Sequence, residues 1–219
     1  MKTEIIPSIL VKNENEFDKR YRVVSQHAKT AQLDVLDNSF LPYSSFHDVE
    51  YIATLKPKIN IEVHFMINNV AGELPKWNYS WVSKIIFHIE ATPNAEILIE
   101  TIKSMGKKVG IAINPETSVL QIQPYIKKVN TVLVMTVHPG RNGAPFVPET
   151  LEKVKEIRNE NPKVNIEVDG GMNLENVKSA KDAGANLFVV GSYLSGEKFG
   201  ERLKELVVSS RASAKQSHL

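Results

Sequence analysis

Asp34, Asp37, His64 and Asp169 each pair a chemistry-bearing side chain with a place at or just past the end of an apolar run. Two carboxylates on opposite sides of a bound molecule can remove a proton from one face and return one to the other. One imidazole beside carboxylates can hold Zn²⁺ or a similar divalent ion. Each residue by itself reads equally as structure: Asp34 and Asp37 capping the next loop, His64 satisfied by neighbours, Asp169 bonding turn amides. A second constellation is rich in glycine. Asp169-Gly170-Gly171 and Gly191-Ser192 each close an apolar run, and His138-Pro139-Gly140-Arg141-Asn142-Gly143 follows another. Glycines in such places let backbone N–H groups approach a phosphate. Turns also need glycine for their own sake. A phosphorylated small molecule is the ligand this pattern suggests.

The elements that must position these residues alternate in type. Strand-like runs cover 4–10, 31–35, 59–66, 83–87, 108–113, 131–137, 164–168 and 186–190. Helical patterns near 13–28, 46–56, 93–104, 117–127, 149–160, 174–182 and 198–210 separate them, and 69–80 is ambiguous. Pro148-Glu149-Thr150 and Asn173-Leu174-Glu175 open helices, while Gly106 and Gly184 stand where helices should stop. Eight such units fit a (β/α)₈ TIM barrel or a doubly wound open sheet.

Side-chain parity decides between them. Gln32 and Asp34 share one face of the second run, Glu62, His64 and Met66 one face of the third, and Asn165, Glu167 and Asp169 one face of the seventh. A barrel turns such a polar parity to its lumen, whereas an open sheet covered on both sides needs apolar central strands. Their common parity also favours one site for Asp34, His64 and Asp169, at the strand C-terminal ends where barrels place chemistry. Asp34 and His64 stand on neighbouring strands, with Asp169 across the mouth. The expectation is one α/β barrel domain over 1–219, frayed from Ser209 onward.

Composition narrows the function classes. Lys plus Arg number 27 against 25 Asp plus Glu, a net charge of +2, which argues against a nucleic-acid partner. No cysteine is present, so disulfide scaffolds, thiolate chemistry and Cys-ligated metals are excluded. No run approaches the roughly 18 apolar residues of a membrane span, and residues 5–11 are too broken for a signal peptide. A soluble, cytoplasmic globular protein is expected. There is no P-loop, dinucleotide fingerprint or nucleophile elbow. His27, His47 and His218 read as surface or satisfied residues, and His88 as packing or a mouth residue behind the site.

In order and spacing, a set of segments running almost end to end resembles the ribulose-phosphate 3-epimerase family. It comprises Pro7-Ser8-Ile9-Leu10, Asp34-Val35-Leu36-Asp37 with Phe40-Leu41-Pro42, Glu62-Val63-His64-Phe65-Met66, Phe87-His88-Ile89-Glu90 and Asn114-Pro115-Glu116-Thr117. It continues through residues 134–140, Val168-Asp169-Gly170-Gly171 and Val190-Gly191-Ser192. The resemblance implies a TIM barrel that interconverts D-ribulose 5-phosphate and D-xylulose 5-phosphate through an enediolate. By the same likeness, Asp34 and Asp169 are the acid–base pair, and Asp34, His64 and Asp169 are ligands of one divalent ion (Zn²⁺, Fe²⁺, Mn²⁺ or Co²⁺). Ser8 and His64 then meet the substrate, Met66 and Met135 pack around the enediolate, and Gly140, Gly143, Gly170, Gly171, Gly191 and Ser192 cradle the phosphate. For the methionines, simple packing is an equal reading. A homo-oligomer is also implied.

The chain departs from the family pattern in three places. Gln32 stands where the family has a metal-binding histidine, Asp37-Asn38 replaces Asp-Gly, and Gly140-Arg141-Asn142-Gly143-Ala144 replaces Gly-Phe-Gly-Gly-Gln. An amide oxygen is a harder donor than imidazole and favours zinc-like ions less. Three alternatives follow: a hexulose 6-phosphate epimerase, a paralogue that binds a phosphosugar with weak or no turnover, and a phosphosugar decarboxylase or aldolase. The last characteristically needs Asp-x-Lys-x-x-Asp, and Leu36 stands where that lysine should be.

Overall fold

A computed structural model describes residues 1–139 and 144–211. Eight parallel strands close into a barrel in chain order: β1 (Glu4–Ile9), β2 (Thr30–Leu36), β3 (Asn60–Met66), β4 (Val82–His88), β5 (Lys108–Ile113), β6 (Thr131–Met135), β7 (Asn165–Asp169) and β8 (Leu187–Val190). β8 pairs with β1, so no edge is left open. All eight strands fall on the expected runs. The helices are α1 (Glu14–His27), α2 (Val49–Thr54), α3 (Val70–Glu73), α4 (Ala95–Ser104), α5 (Thr150–Glu160), α6 (Leu174–Ala183) and α7 (Phe199–Arg211). The ambiguous 69–80 stretch is α3 followed by a 3₁₀ turn at Leu74–Trp77.

Local chemistry explains the boundaries. The Asn13 side chain accepts from Glu16 N–H to start α1, and Asn173 accepts from Asn176 N–H to start α6. Gly184 closes α6 at φ 114 and Gly106 follows α4 at φ 72, both in the left-handed region that glycine enters without strain. Two expectations need correction. The helix expected over 117–127 is only a 3₁₀ turn at Val119–Gln121 within a string of turns, because Pro124 lacks the N–H that an α-helix needs there. The tail expected loose from Ser209 instead begins as helix: Ser209–Arg211 complete α7 and Ser210 is buried. Residues 212–219 lie outside the described residues.

The parity of the strands separates two cores. Leu33 and Val35, Ile61, Val63 and Phe65, and Ile166 and Val168 join one cluster between sheet and helices. The opposite parity fills the lumen. It is apolar at Ile86, Ala112, Leu133 and Met135, and polar at Gln32, Asp34, Glu62, His64, Lys84, His88 and Glu167. Low in the lumen, Lys84 on β4 lies 2.6 Å from both Glu62 and Glu167, an ion triad that the sequence did not reveal. No helix of the described residues is long and apolar enough to cross a membrane.

Candidate active site

Register brings the chemistry together. Asp34 pairs with His64 across β2 and β3, and Met135 with Asp169 across β6 and β7. His64 Nδ1 lies 3.0 Å from Asp34 Oδ1 and 3.6 Å from Asp169 Oδ2. Donor atoms of Asp34, His64 and Asp169 all fall within 4.8 Å of one another, the arrangement that could hold a metal ion. Gln32, wholly buried beside them, donates Nε2–H to Asp34 Oδ1 at 2.8 Å and to Asp169 Oδ2 at 2.7 Å. Its Oε1 is buried with no hydrogen-bond partner.

A relay stands behind His64. His64 Nε2 and His88 Nε2 are 2.9 Å apart, and His88 Nδ1 is 3.2 Å from Glu90 Oε2. Glu90 Oε1 in turn accepts from Asn114 N–H and the Thr117 hydroxyl. Glu90 offers only acceptors, so His88 donates Nδ1–H to it and its Nε2 accepts from His64 Nε2–H. His64 Nδ1 is thereby turned to the two aspartates, where an ion would displace its proton. Residues 87–90 and 114–117 carry the family resemblance; the sequence offered His88 a place behind the site but gave no sign of its partners His64 and Glu90.

Electrostatics distinguishes the members. Burial, then the neighbouring Asp34 charge, pushes Asp169 up to about 7, against His64 and the Gln32 hydrogen bond. Burial lowers His64, but the bond and charge of Asp34, with Asp169, more than offset it and leave the imidazole raised. Burial takes His88 down to about 4, so it is neutral near pH 7. Glu90 resists its own burial through its bonds to His88, Asn114 and Thr117 and falls to about 2.

The mouth opens over this cluster. Ser8, Asp34, Met66, Met135, Asp169, Gly170, Gly171, Gly191 and Ser192 line one pocket, together with Leu10, Val137 and Met172. Gly170 at φ 115 and Gly171 at φ 65 adopt backbone that disfavours side chains. Their carbonyls are tied outward by Thr136 Oγ1 at 2.6 Å and Asn176 Nδ2 at 2.7 Å. Arg20, which the sequence reading passed over, donates to the Ser8 carbonyl at 3.0 Å and the Leu194 carbonyl at 2.8 Å. It therefore fastens the end of β1 to the turn after β8. Asp37 stays outside the cluster: it is exposed and accepts from Ser39 N–H and Oγ, with Asn38 at φ 68 completing the turn. His47 bonds the Ser45 carbonyl, His27 packs on Phe199 and His138 pairs with Glu116. Gly140, Arg141, Gly143 and His218 lie outside the described residues.

A profile of the ribulose-phosphate 3 epimerase family matches residues 4–195. The chain belongs to that family. It is 34% identical over 197 residues to the ribulose-phosphate 3-epimerase of Schizosaccharomyces pombe, covering 88% of this chain and 86% of that one. Identity is also 34% to the cytoplasmic isoform from Oryza sativa, over 80% of this chain and 79% of the relative. Relatives of this kind make the chain an isomerase-family enzyme. Among solved structures, 3-keto-L-gulonate-6-phosphate decarboxylase from Vibrio cholerae superposes with a TM-score of 0.72 at 12% identity, covering 96% of this chain and 98% of that one. At that identity the likeness speaks for the barrel fold only.

Proposed function

We propose that this chain is a pentulose-phosphate 3-epimerase interconverting D-ribulose 5-phosphate and D-xylulose 5-phosphate, with Asp34 and Asp169 as its two acid–base groups. The observation that carries the reading is the convergence of these two carboxylates on one point at the floor of the pocket, held from opposite sides of the barrel by the Gln32 amide. The C3 proton is acidified by the C2 ketone. One aspartate removes it, giving an enediolate, and the other returns a proton to the opposite face. Asp169 carries that returning proton while Asp34 acts as base; without a metal, burial and the Asp34 charge already favour the protonated form of Asp169. In the reverse direction the roles exchange.

Asp34, His64 and Asp169 would hold one divalent ion (Zn²⁺, Fe²⁺, Mn²⁺ or Co²⁺). Their donor atoms cluster, His64 turns Nδ1 inward to both aspartates, and the buried, unpartnered Gln32 Oε1 suits a cation. Bound there, the ion would supply Lewis-acid stabilisation of enediolate charge. Met66 and Met135 wall the reacting carbons from water, Ser8 meets the sugar hydroxyls, and Gly170, Gly171, Gly191 and Ser192 receive the phosphate, with Gly140 and Gly143 completing the cradle. The protein works in the cytoplasm as a homo-oligomer on a small phosphosugar, without nucleic-acid or membrane partners.

A second reading, a paralogue that binds phosphosugar with little turnover, draws on the Gln32 amide that ties both carboxylates. Solvent deuterium exchange at C3, followed by NMR with ribulose 5-phosphate and with a hexulose 6-phosphate, separates the cases. Rapid exchange with the pentulose supports the proposal. Exchange with the hexulose alone moves the substrate to the longer sugar. Binding without exchange of either leaves the paralogue.

A further inference from the structure

Gln32 departs from the family pattern at the centre of the site, and its geometry there is specific. Its Nε2 lies 2.8 Å from Asp34 Oδ1, 2.7 Å from Asp169 Oδ2 and 3.4 Å from His64 Nδ1. His64 Nδ1 in turn is 3.0 Å from Asp34 Oδ1 and 3.6 Å from Asp169 Oδ2. An ion about 2.1 Å from its ligands sets neighbouring ligand atoms about 3.0 Å apart in an octahedral shell and about 3.4 Å in a tetrahedral one. The amide terminus therefore stands from the other three donors at the spacing of a fourth ligand. The atom it presents there is a nitrogen, a donor without a lone pair for metal. The oxygen at the other corner of the amide is buried and bonded to nothing. A buried orphan acceptor is rare enough to need a reason.

Rotation of the amide by half a turn supplies one. It surrenders two N–H bonds to carboxylates, so it is unfavourable without an ion to replace them. A divalent ion takes over the charge of Asp34 and Asp169 that those N–H groups served, and gains Oε1 as a ligand. We propose that Gln32 is a rotating ligand. Its NH₂ clamps Asp34 to Asp169 in metal-free protein, and its Oε1 turns to complete a three-oxygen, one-nitrogen set when an ion binds, which narrows the site's preference for Zn²⁺ over Mn²⁺. The shift follows from donor type, since oxygen donors suit Mn²⁺ and imidazole suits Zn²⁺. The inference rests on the metal-assisted epimerase reading above but concerns only how this chain meets the ion.

The test measures metal binding directly. Mn²⁺ affinity is read from the EPR signal of free ion, and Zn²⁺ affinity by competition with a chromophoric chelator. Wild type is compared with Gln32→Leu, Gln32→Glu and Gln32→His. Wild type should bind about one Mn²⁺ per chain, Gln32→Leu should lose affinity ~10-fold or more, and Gln32→Glu should retain it. Gln32→His should raise the Zn²⁺-to-Mn²⁺ affinity ratio by ~10-fold or more. Equal or tighter Mn²⁺ binding by Gln32→Leu overturns the proposal, because the amide would then only compete with the ion. An unchanged ratio in Gln32→His overturns it as well, and that variant decides the matter if the leucine one fails to fold. C3 exchange on the same samples separates the two readings. Exchange in wild type that binds no metal sinks the rotating ligand and leaves the epimerase. The expected metal pattern without exchange sinks the epimerase and leaves the ligand.

Discussion

Asp169 sits where its own charge is least welcome, half-buried at the pocket floor and facing a second carboxylate, and its pKa rises to about 7 as a result. Two acid–base groups on opposite faces of one carbon leave a signature when one is removed. In Asp169→Asn, Asp34 can still take and return the C3 proton from its own side. Epimerisation should fall by about 10²–10⁴-fold, while solvent exchange persists with one of the two pentulose phosphates. Asp34→Asn should retain exchange with the other sugar. NMR of each epimer in D₂O reads this, and exchange retained with the same sugar in both variants would refute two-base transfer. A second residue-scale expectation concerns His88. Its folded pKa, about 4, lies below the ordinary 6.5, so the fold favours the neutral ring. Its contribution is complete above pH 6.5 and is lost as pH falls toward 4, because the unfolded chain binds the proton first. Glu90, folded at about 2 against 4.5, adds its own loss only below pH 4.5. Urea denaturation of metal-free protein should therefore show the stability gap between wild type and His88→Asn narrowing from pH 6.5 to 4. A gap that widens would contradict the neutral assignment.

Strands and loops translate these residues into a site, and they were not equally legible in the sequence. The eight strands announce themselves because lumen and helix-facing residues alternate, as Glu62, His64 and Met66 do against Ile61, Val63 and Phe65. The stretch 117–127 misleads because its apolar spacing is helical while Pro124 forbids the helix. The glycines after β7 were legible as a turn, but their steric role needs the fold. A Cβ on Gly171 would stand 2.9 Å from Phe146 Cβ and 3.1 Å from its Cα, at φ +65. Gly171→Ala should therefore cost roughly 1–2 kcal/mol from left-handed backbone and push aside the backbone at Phe146. The expected kinetic outcome is a raised KM for the phosphosugar with kcat changed far less. A selective fall in kcat would place the glycine with the acid–base chemistry instead.

At the scale of the whole barrel, what escaped the sequence is contact between strands that do not adjoin. Composition and parity place Glu62 and Glu167 in the lumen, but nothing in the linear order says that Lys84 will lie between them. The same holds for the Gln32 amide, which reaches Asp169 across β1 and β8. Lys84 is held charged despite its burial, which alone would lower its pKa, because Glu167 and Glu62 more than offset that cost. Glu62, buried and facing Glu167, is raised well above its ordinary value. The triad is thus poised between mutual attraction and desolvation, and its members should be strongly non-additive. Lys84→Met leaves two carboxylates facing each other in the lumen and should cost about 3–5 kcal/mol by urea denaturation. Adding Glu62→Leu and Glu167→Leu removes the stranded charges, so the triple variant should recover most of that loss despite carrying more substitutions. Glu62 pairs in register with Gln32, and Glu167 precedes Asp169 by one inward-facing step on β7, so the triad is the floor on which the layer of Gln32, Asp34, His64 and Asp169 rests. A single variant costing less than about 1 kcal/mol would mean that water entering from the N-terminal end of the barrel, between Glu4, Thr30 and Lys108, already solvates these charges as it would a surface pair.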